Sequence, residues 1–156
     1  MFYNTLISSI GIALAALAAV KAEQHLVHFD NRCGFGTPTL IGEGGVTFST
    51  GGDVLFESEI RGLIAYLQTG GCGFNGEGCL TVEASLVNGQ SSADLTLIPP
   101  HSFSVTSGFG YFDGCDGSGA DCNNAGCNTA FHVSTDTFVQ VGCGAGNENL
   151  AITFCD

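Results

Sequence analysis

The chain has 156 residues, of which fifteen are acidic, three are Lys or Arg and eight are Cys, and its formal net charge is −12. This charge excludes most nucleic-acid-binding functions, because phosphates have to be neutralised by basic side chains. Anionic membrane surfaces are disfavoured for the same reason. A neutral polymer, a cation or a basic protein remains open as a binding partner.

The first element is an apolar segment typical of a secretory signal peptide. "LISSIGIALAALAAV" is followed by "KA", with small residues where a signal peptidase cleaves. The segment is too short for a comfortable membrane span, so we expect residues 1–22 to be removed, with cleavage after Ala19 as the alternative. Glu23 then begins a chain of 134 residues whose net charge is −13, because Lys21 is lost. We expect one secreted, monomeric domain over residues 23–156.

All eight cysteines follow residue 22. An even number of cysteines in an exported chain predicts four disulfide bonds. A zinc site is not expected, since the sequence contains no Cys-x-x-Cys pair. The disulfides would supplement a hydrophobic core, because a chain of this length can bury one.

Short runs rich in β-branched and aromatic residues dominate the rest of the chain, and Gly, Asn, Asp and Ser separate them. In "LTVEASLV", Leu80 to Leu86 alternate apolar residues with Thr81, Glu83 and Ser85, as a strand with one buried face does. The runs predict a β-sandwich or barrel-like core. "RGLIAYL" resembles a short helix, but flanking glycines favour a strand. The predicted strands are "HLVHF", "VTFST", "DVLFES", "GLIAYLQT", "LTVEASLV", "ADLTLI", "FSVT", "TAFHV", "DTFVQVGC" and "NLAITFC".

A glycine-rich loop, "FGYFDGCDGSGADCNNAGC", contains Asp113, Asp116 and Asp121. Calcium loops of the EF-hand kind place oxygen ligands at alternate positions and end in a bidentate Glu. The aspartates here are three and five residues apart and no Glu follows. The spacing therefore favours a turn clamped by disulfides over a calcium site, and no metal is predicted.

Histidine and serine patterns give little support for catalysis. A copper oxygenase site would need His25 as the first residue of the chain, and so an additional cut. His132, alone on an alternating run, is interpreted as a packed residue. The sequence has no Gly-x-Ser-x-Gly elbow. Carboxylates are better candidates, because glycoside hydrolysis needs two of them facing each other across a sugar.

Six segments resemble, in order, segments of the thaumatin-like proteins. They are "HFDNRCG", "AYLQTGGCGFNGEGC", "LTVEASLV", "ADLTLIPPHSFSV", "GCDGSGADCNNAGCNTAF" and "STDTFVQVGCGAGNENLAITFCD", and together they span most of residues 28–156. The chain resembles still more closely a group of short, cysteine-rich secreted proteins of basidiomycete fungi, often labelled "glycopeptide". The resemblance implies an all-β, disulfide-stapled thaumatin-like β-sandwich without the family's large cysteine-rich second domain.

The same resemblance implies a disulfide pattern. It pairs Cys33 with Cys155, Cys72 with Cys79 and Cys115 with Cys143, and this leaves Cys122 for Cys127. A repeated Cys-x6-Cys spacing supports another scheme, in which Cys115 pairs with Cys122 and Cys127 pairs with Cys143. Both schemes remain open from the sequence.

The resemblance also implies an acidic cleft. Glu83 falls on the glutamate of this cleft, Asp94 on its first aspartate and Asp136 on its last aspartate. Glu83 and Asp94 would be the catalytic residues of an enzyme. Pro99 replaces another aspartate, and Arg61 lies only near the position of the family's arginine. The missing aspartate and arginine would help to set the pKa of a proton donor. Their loss therefore disfavours catalysis more than it disfavours sugar binding.

Aromatic side chains could add stacking surfaces for a sugar. Tyr66, Phe74, Tyr111 and Phe112 are the candidates, and Asp113 would belong to the acidic rim. We therefore expect a non-catalytic extracellular or cell-wall protein without a cofactor, which binds a neutral polysaccharide such as β-1,3-glucan or another extracellular partner. The alternatives are a weak endo-β-1,3-glucanase and an effector that acts on a host or on competing microbes.

Overall fold

A computed structural model describes residues 22–156. The predicted signal peptide lies outside this range except for Ala22. Two short 3-10 helices, Glu43–Gly45 and Thr137–Val139, interrupt a chain of β-strands, and no helix in residues 22–156 is long and apolar enough to cross a membrane. The strands are β1 (His25–Asn31), β2 (Thr37–Gly42), β3 (Val46–Thr50), β4 (Val54–Phe56), β5 (Ile60–Gln68), β6 (Thr81–Leu86), β7 (Ser91–Thr96), β8 (Ser107–Phe112), β9 (Gly119–Cys122), β10 (Ala130–Phe131), β11 (Val141–Cys143) and β12 (Asn149–Phe154).

The strands form two sheets. The first has the order β4-β1-β12-β8-β9, and the second has the order β10-β7-β6-β5-β2-β3, with β11 also pairing with β7. Strands β1 and β12 run parallel, as do β10 and β7, whereas the other described pairs are antiparallel. The predicted all-β class and the two-sheet sandwich are confirmed.

The core lies between the sheets and follows the alternation of the strands. Val82, Ala84 and Leu86 of β6 are buried in the same cluster as Leu150 and Ile152 of β12. Because successive side chains of a strand point to opposite faces, Glu83 lies on the outer face of the second sheet. The alternation read from "LTVEASLV" thus places this acid outside the core.

Four disulfide bonds fasten the sandwich. They are Cys33–Cys155, Cys72–Cys79, Cys115–Cys143 and Cys122–Cys127. These are the pairs that the resemblance implies, and the scheme based on the Cys-x6-Cys spacing does not occur. Cys33 follows β1 and Cys155 follows β12, so their bond joins the ends of two adjacent parallel strands. No cysteine in the described chain is free.

The structure corrects several predicted strands. "FSVT" is irregular, and the strand begins after it, at Ser107. "DTFVQVGC" divides into the second 3-10 helix and β11. The strand favoured for "RGLIAYL" is confirmed, because this segment belongs to β5. Strands β2, β8 and β9 were not predicted, because Pro and Gly weaken the local β pattern. In β8, Gly108 leaves room for the Asp121 carboxyl, which lies 1.9 Å from where a Cβ would be.

Candidate functional site

A groove runs over the outer face of the second sheet, and two acids lie on its floor. Glu83 of β6 is directly opposite Asp94 of β7, and Ile64 of β5 is directly opposite Glu83 on the other side. Residues paired in this way have Cβ atoms roughly 4.5 to 5.5 Å apart. The structure therefore brings together the two acids that the resemblance singled out.

The groove has a polar part and a more apolar part, which share Glu83, Asp94 and Gln140 and so form one continuous surface. Ser85 and Ser92 line the polar part beside the bend at Gly62. The other part is lined by Ile98, Pro99, Pro100, His101, Phe131 and Ser134. A ligand lying along the groove would therefore cross the acid pair in the middle.

Asp94 is unusually buried for an acid that faces a groove, since it is 6% exposed. The Gln140 side-chain amide donates a hydrogen bond to its Oδ2 over 3.3 Å, while Oδ1 has no partner among residues 22–156. Burial and the nearby charge of Glu83 raise the pKa of Asp94 to about 6, although the Gln140 bond opposes this shift. Asp94 thus changes between a hydroxyl donor and a carboxylate in mildly acidic solution.

Asp136 does not join this pair. Its Oδ2 accepts hydrogen bonds from the backbone N–H groups of His132, over 3.0 Å, and Val133, over 3.1 Å. The carboxylate therefore shapes the turn between β10 and the 3-10 helix. Ser134 and Gln140 from the same loop line the groove, whereas Asp136 is not among the lining residues.

The aromatic candidates are dispersed. Tyr66 is 2% exposed, and its hydroxyl donates to the Phe74 carbonyl over 2.7 Å, so its ring lies under the 72–79 loop. Tyr111 is buried in the sandwich core, where its hydroxyl donates to the Val141 carbonyl over 3.2 Å. Phe74 is 55% exposed on the 72–79 loop, outside the groove lining. Phe112 belongs to the first sheet, opposite Asn149.

The remaining charged candidates do not converge on the groove. Arg61 pairs with Glu59 over 3.2 Å at an exposed position and does not line the groove. Asp113 follows β8 at the end of the first sheet, where its Oδ2 accepts from the side chain of Asn149 over 3.0 Å. Asp116 accepts the backbone N–H groups of Asp113 and Gly114. Within the described part of the chain, no three His, Cys, Asp or Glu side chains are grouped to hold a metal.

His25 is unsuited to the copper site considered from the sequence. It is fully buried, and both of its ring nitrogens have partners. Nδ1 lies 2.7 Å from the Glu148 carbonyl oxygen, and Nε2 lies 3.1 Å from Oε1 of Glu23. A chain cut before His25 would also lose Glu23 and with it one of these bonds.

Sequence reasoning missed the residues that surround the acid pair. Gln140, Phe131 and His101 line the groove, but the resemblance gave none of them a role in the site. Phe131 reaches it because β10 pairs with β7, which places it opposite Thr96, two residues beyond Asp94. His101 is held by a bond from Nδ1 to the Gly76 carbonyl oxygen, 3.0 Å away. Only the long-range pairing of the strands identifies these residues.

A comparison with protein-family models and with curated proteins finds no match for this sequence. Solved structures do resemble it. A thaumatin-like xylanase inhibitor superposes with a TM-score of 0.55 at 19% identity, covering 83% of this chain and 99% of the inhibitor. The protein elicitor MoHrip2 from Magnaporthe oryzae superposes with a TM-score of 0.52 at 14% identity, covering 86% of this chain and all of the elicitor. At these identities the likeness shows the fold, which is thaumatin-like.

Proposed function

We propose that this thaumatin-like sandwich is a non-catalytic extracellular protein whose groove over Glu83 and Asp94 binds a neutral wall polysaccharide, with β-1,3-glucan as the ligand. One observation carries the proposal: Asp94 lines an open groove, and its Oδ1 is buried without a hydrogen-bond partner among residues 22–156. Buried polar atoms in proteins are rarely left without a hydrogen bond, and a ligand hydroxyl would supply one. Four disulfides support an extracellular location, since such bonds persist in oxidising surroundings.

The acid pair suits a hydroxyl group, which both donates and accepts hydrogen bonds. Below about pH 6 Asp94 is mostly protonated and donates, while oxygens of the Glu83 side chain are available as acceptors. The chain's net charge of −12 disfavours an anionic polymer, so a neutral chain fits better. Ile98, Pro99 and Phe131 offer an apolar wall to the C–H faces of the sugar.

Binding without hydrolysis is supported by what surrounds the pair. The described groove has no arginine, because Arg61 is paired with Glu59 elsewhere. The third acid expected from the resemblance, Asp136, is engaged with backbone N–H groups. Pro99 stands where the family has another acid. A glycosidase uses such groups to tune its proton donor.

A second candidate is a weak endo-β-1,3-glucanase. The raised pKa of Asp94 beside the charge of Glu83 favours it, since two carboxyl groups whose pKa values are pushed apart can act as acid and base. A third candidate is an effector or inhibitor that acts on another protein. The exposed Phe138 and Val133, which lie close to the groove in sequence, favour it, and two of the structural neighbours are a xylanase inhibitor and an elicitor.

A pull-down on insoluble β-1,3-glucan at pH 5 tests the binding proposal. We expect the parent protein to be retained, and we expect Glu83→Ala and Asp94→Leu to reduce retention at least tenfold. Glu57→Ala is the matched control, because Glu57 is an exposed acid away from the groove. Failure of the parent protein to be retained would refute binding.

Asp94→Asn separates binding from catalysis. An amide donates a hydrogen bond as a protonated carboxyl does but cannot transfer its proton, so a binding protein keeps its retention while a glucanase loses turnover. Reducing-sugar release from laminarin that disappears in Asp94→Asn would favour the enzyme. No release from the parent protein, together with retention on glucan, favours the binding protein.

A further inference from the structure

A network of polar groups lies at the start of β1, away from the groove. His25 is fully buried there, and its Nδ1 lies 2.7 Å from the Glu148 carbonyl oxygen. A carbonyl oxygen only accepts hydrogen bonds, so Nδ1 carries a proton. On the other side of the ring, Nε2 lies 3.1 Å from Oε1 of Glu23.

Glu23 is also an acceptor. Its Oε1 accepts the backbone N–H of Asn88 over 2.6 Å, and this bond, followed by the one to His25, lowers the pKa of Glu23. A neutral imidazole with its proton on Nδ1 would direct the Nε2 lone pair at this carboxylate. Two acceptors would then face each other, and this arrangement forms no hydrogen bond.

We infer that His25 is a buried imidazolium with protons on both nitrogens, and that it fastens the N-terminal segment to the rest of the fold until rising pH removes the second proton. The hydrogen bonds to Glu148 and Glu23 favour the charged form. Complete burial opposes that form, because a cation out of water is costly unless it is paired.

The carboxylate of Glu148 is a second negative partner for the buried imidazolium. Oε1 of Glu148 lies 3.8 Å from Nδ1 of His25 and accepts the hydroxyl of Ser91, and the Glu148 side chain is fully buried. Its Oε2 has no hydrogen-bond partner among residues 22–156. With the second proton lost, Glu148 would be a buried charge without a cation beside it, which is strongly unfavourable.

Two further titratable groups act on this network. Burial, and then the charges of Glu148 and Asp94, raise the pKa of Tyr111 well above its usual range, so its hydroxyl stays neutral and adds no charge. Arg61 acts only weakly on Glu23, from an exposed position.

The hydrogen bonds of this network connect three segments of the chain. Glu23 bonds to Asn88 in the turn between β6 and β7, and the Gln24 N–H donates to the Asn147 side chain over 3.0 Å. The Asn147 N–H in turn donates to the Asn88 side chain over 2.6 Å. Strands β6 and β7 carry Glu83 and Asp94, so the network holds the far end of the hairpin that forms the groove floor. Because the folded state binds the extra proton, this stabilisation is present at acidic pH and lost as the pH rises.

NMR on protein produced from the full-length chain tests the inference. At pH 5.5 we expect both ring nitrogens of His25 to be protonated in a long-range proton–nitrogen correlation spectrum. Hydrogen exchange, corrected for the intrinsic rate, should show at least a tenfold loss of protection at the Asn88 and Gln24 amides between pH 5.5 and pH 8.5. A neutral tautomer at pH 5.5, or equal protection at both pH values, would overturn the inference.

Glu23→Gln provides the decisive variant. The Asn88 N–H and Nε2 of His25 both contact Oε1 of Glu23, so an amide oxygen in that place still accepts both bonds but lacks the charge that favours the imidazolium. Protection should therefore be lost at a lower pH than in the parent protein. His28→Gln is the matched control, because His28 lies on the same strand, is exposed and pairs with Asp53. It should show the same loss as the parent protein. Loss of protection at the same pH in Glu23→Gln as in the parent protein would contradict the inference.

Discussion

The β6–β7 hairpin carries buried ionisable groups in two places, and their hydrogen bonds are completed differently. One is the Glu83–Asp94 pair midway along the strands, called the groove end below, and the other is the turn, called the turn end. At the groove end, Asp94 lines the groove but is only 6% exposed, and one of its carboxyl oxygens is buried without a partner among residues 22–156. At the turn end, Ser91 and Asn88 connect to Glu148, His25 and Glu23, and the partners of the imidazole come from the chain itself.

This difference distinguishes ionisable side chains that are buried to stabilise the fold from those that are buried in a functional site. A buried charge that is paired within the fold stabilises a particular arrangement, and removing one member leaves the other uncompensated. A buried acid left unpaired at a surface destabilises the fold and is typical of functional sites. The comparison predicts that mutations at the turn end reduce stability, whereas mutations at the groove end change binding and can increase stability.

The largest expected effect is at the turn end. His25→Ala leaves Glu148 buried without a cation and should lower the free energy of unfolding by about 3 kcal/mol at pH 5. His28→Ala on the same strand removes a half-exposed pair with Asp53 and should cost less than about 1 kcal/mol. Urea unfolding followed by circular dichroism measures both. Equal losses in the two variants would contradict the structural role of the turn-end network.

At the groove end, Asp94→Asn should stabilise the protein at neutral pH. The pKa of Asp94 is raised to about 6 from its ordinary 3.8, so the folded state holds its proton more tightly than the unfolded state does. The acid therefore costs stability as the pH rises from about 4 through 6, and an amide does not. We expect a gain of roughly 2 kcal/mol at pH 7.5 and no gain at pH 3.5. Urea unfolding midpoints at both pH values measure this gain in stability. A loss of stability at pH 7.5 would contradict the prediction.

The same proton should control ligand retention. If protonated Asp94 donates to a sugar hydroxyl, retention on β-1,3-glucan falls about tenfold between pH 5 and pH 7.5, which corresponds to one hydrogen bond lost together with an added buried charge. Asp94→Asn should bind equally at both pH values, because its NH2 group always donates. Depletion assays at the two pH values measure this. A parent protein that binds equally at both would show that Asp94 does not act as the donor.

Much of this comparison could not be read from the sequence. The alternation of β6 placed Glu83 outside the core, and the resemblance associated it with Asp94 on the adjacent strand. Hydrophobic patterns predict that polar residues such as His25 and Glu148 are exposed. Both side chains are fully buried, because the burial of each depends on the other. The Asp136 carboxylate bonds within its own turn, which its place in a motif does not reveal.

Strand β8 likewise could not be predicted from its own sequence. Its glycines lack the side chains that produce an alternating pattern, and the strand exists because it pairs with β12 on one side and β9 on the other. Gly108 makes room for the Asp121 carboxyl, a constraint that appears only when the strands are adjacent. Tyr66 was expected on a binding surface, but the loop closed by Cys72–Cys79 covers it. Long-range pairing decides which side chains remain accessible.

The smallest expected effect distinguishes two phenylalanines, Phe131 at the end of β10 and Phe138 in the second 3-10 helix. Phe131 lines the groove, whereas Phe138 is 79% exposed and does not line it. Phe131→Ala should weaken glucan retention about fivefold, through loss of an apolar contact of roughly 1 kcal/mol. Phe138→Ala should change retention less than twofold. A larger loss in Phe138→Ala than in Phe131→Ala would move the binding surface from the groove to the outside of the loop, and would favour a protein partner over a sugar chain.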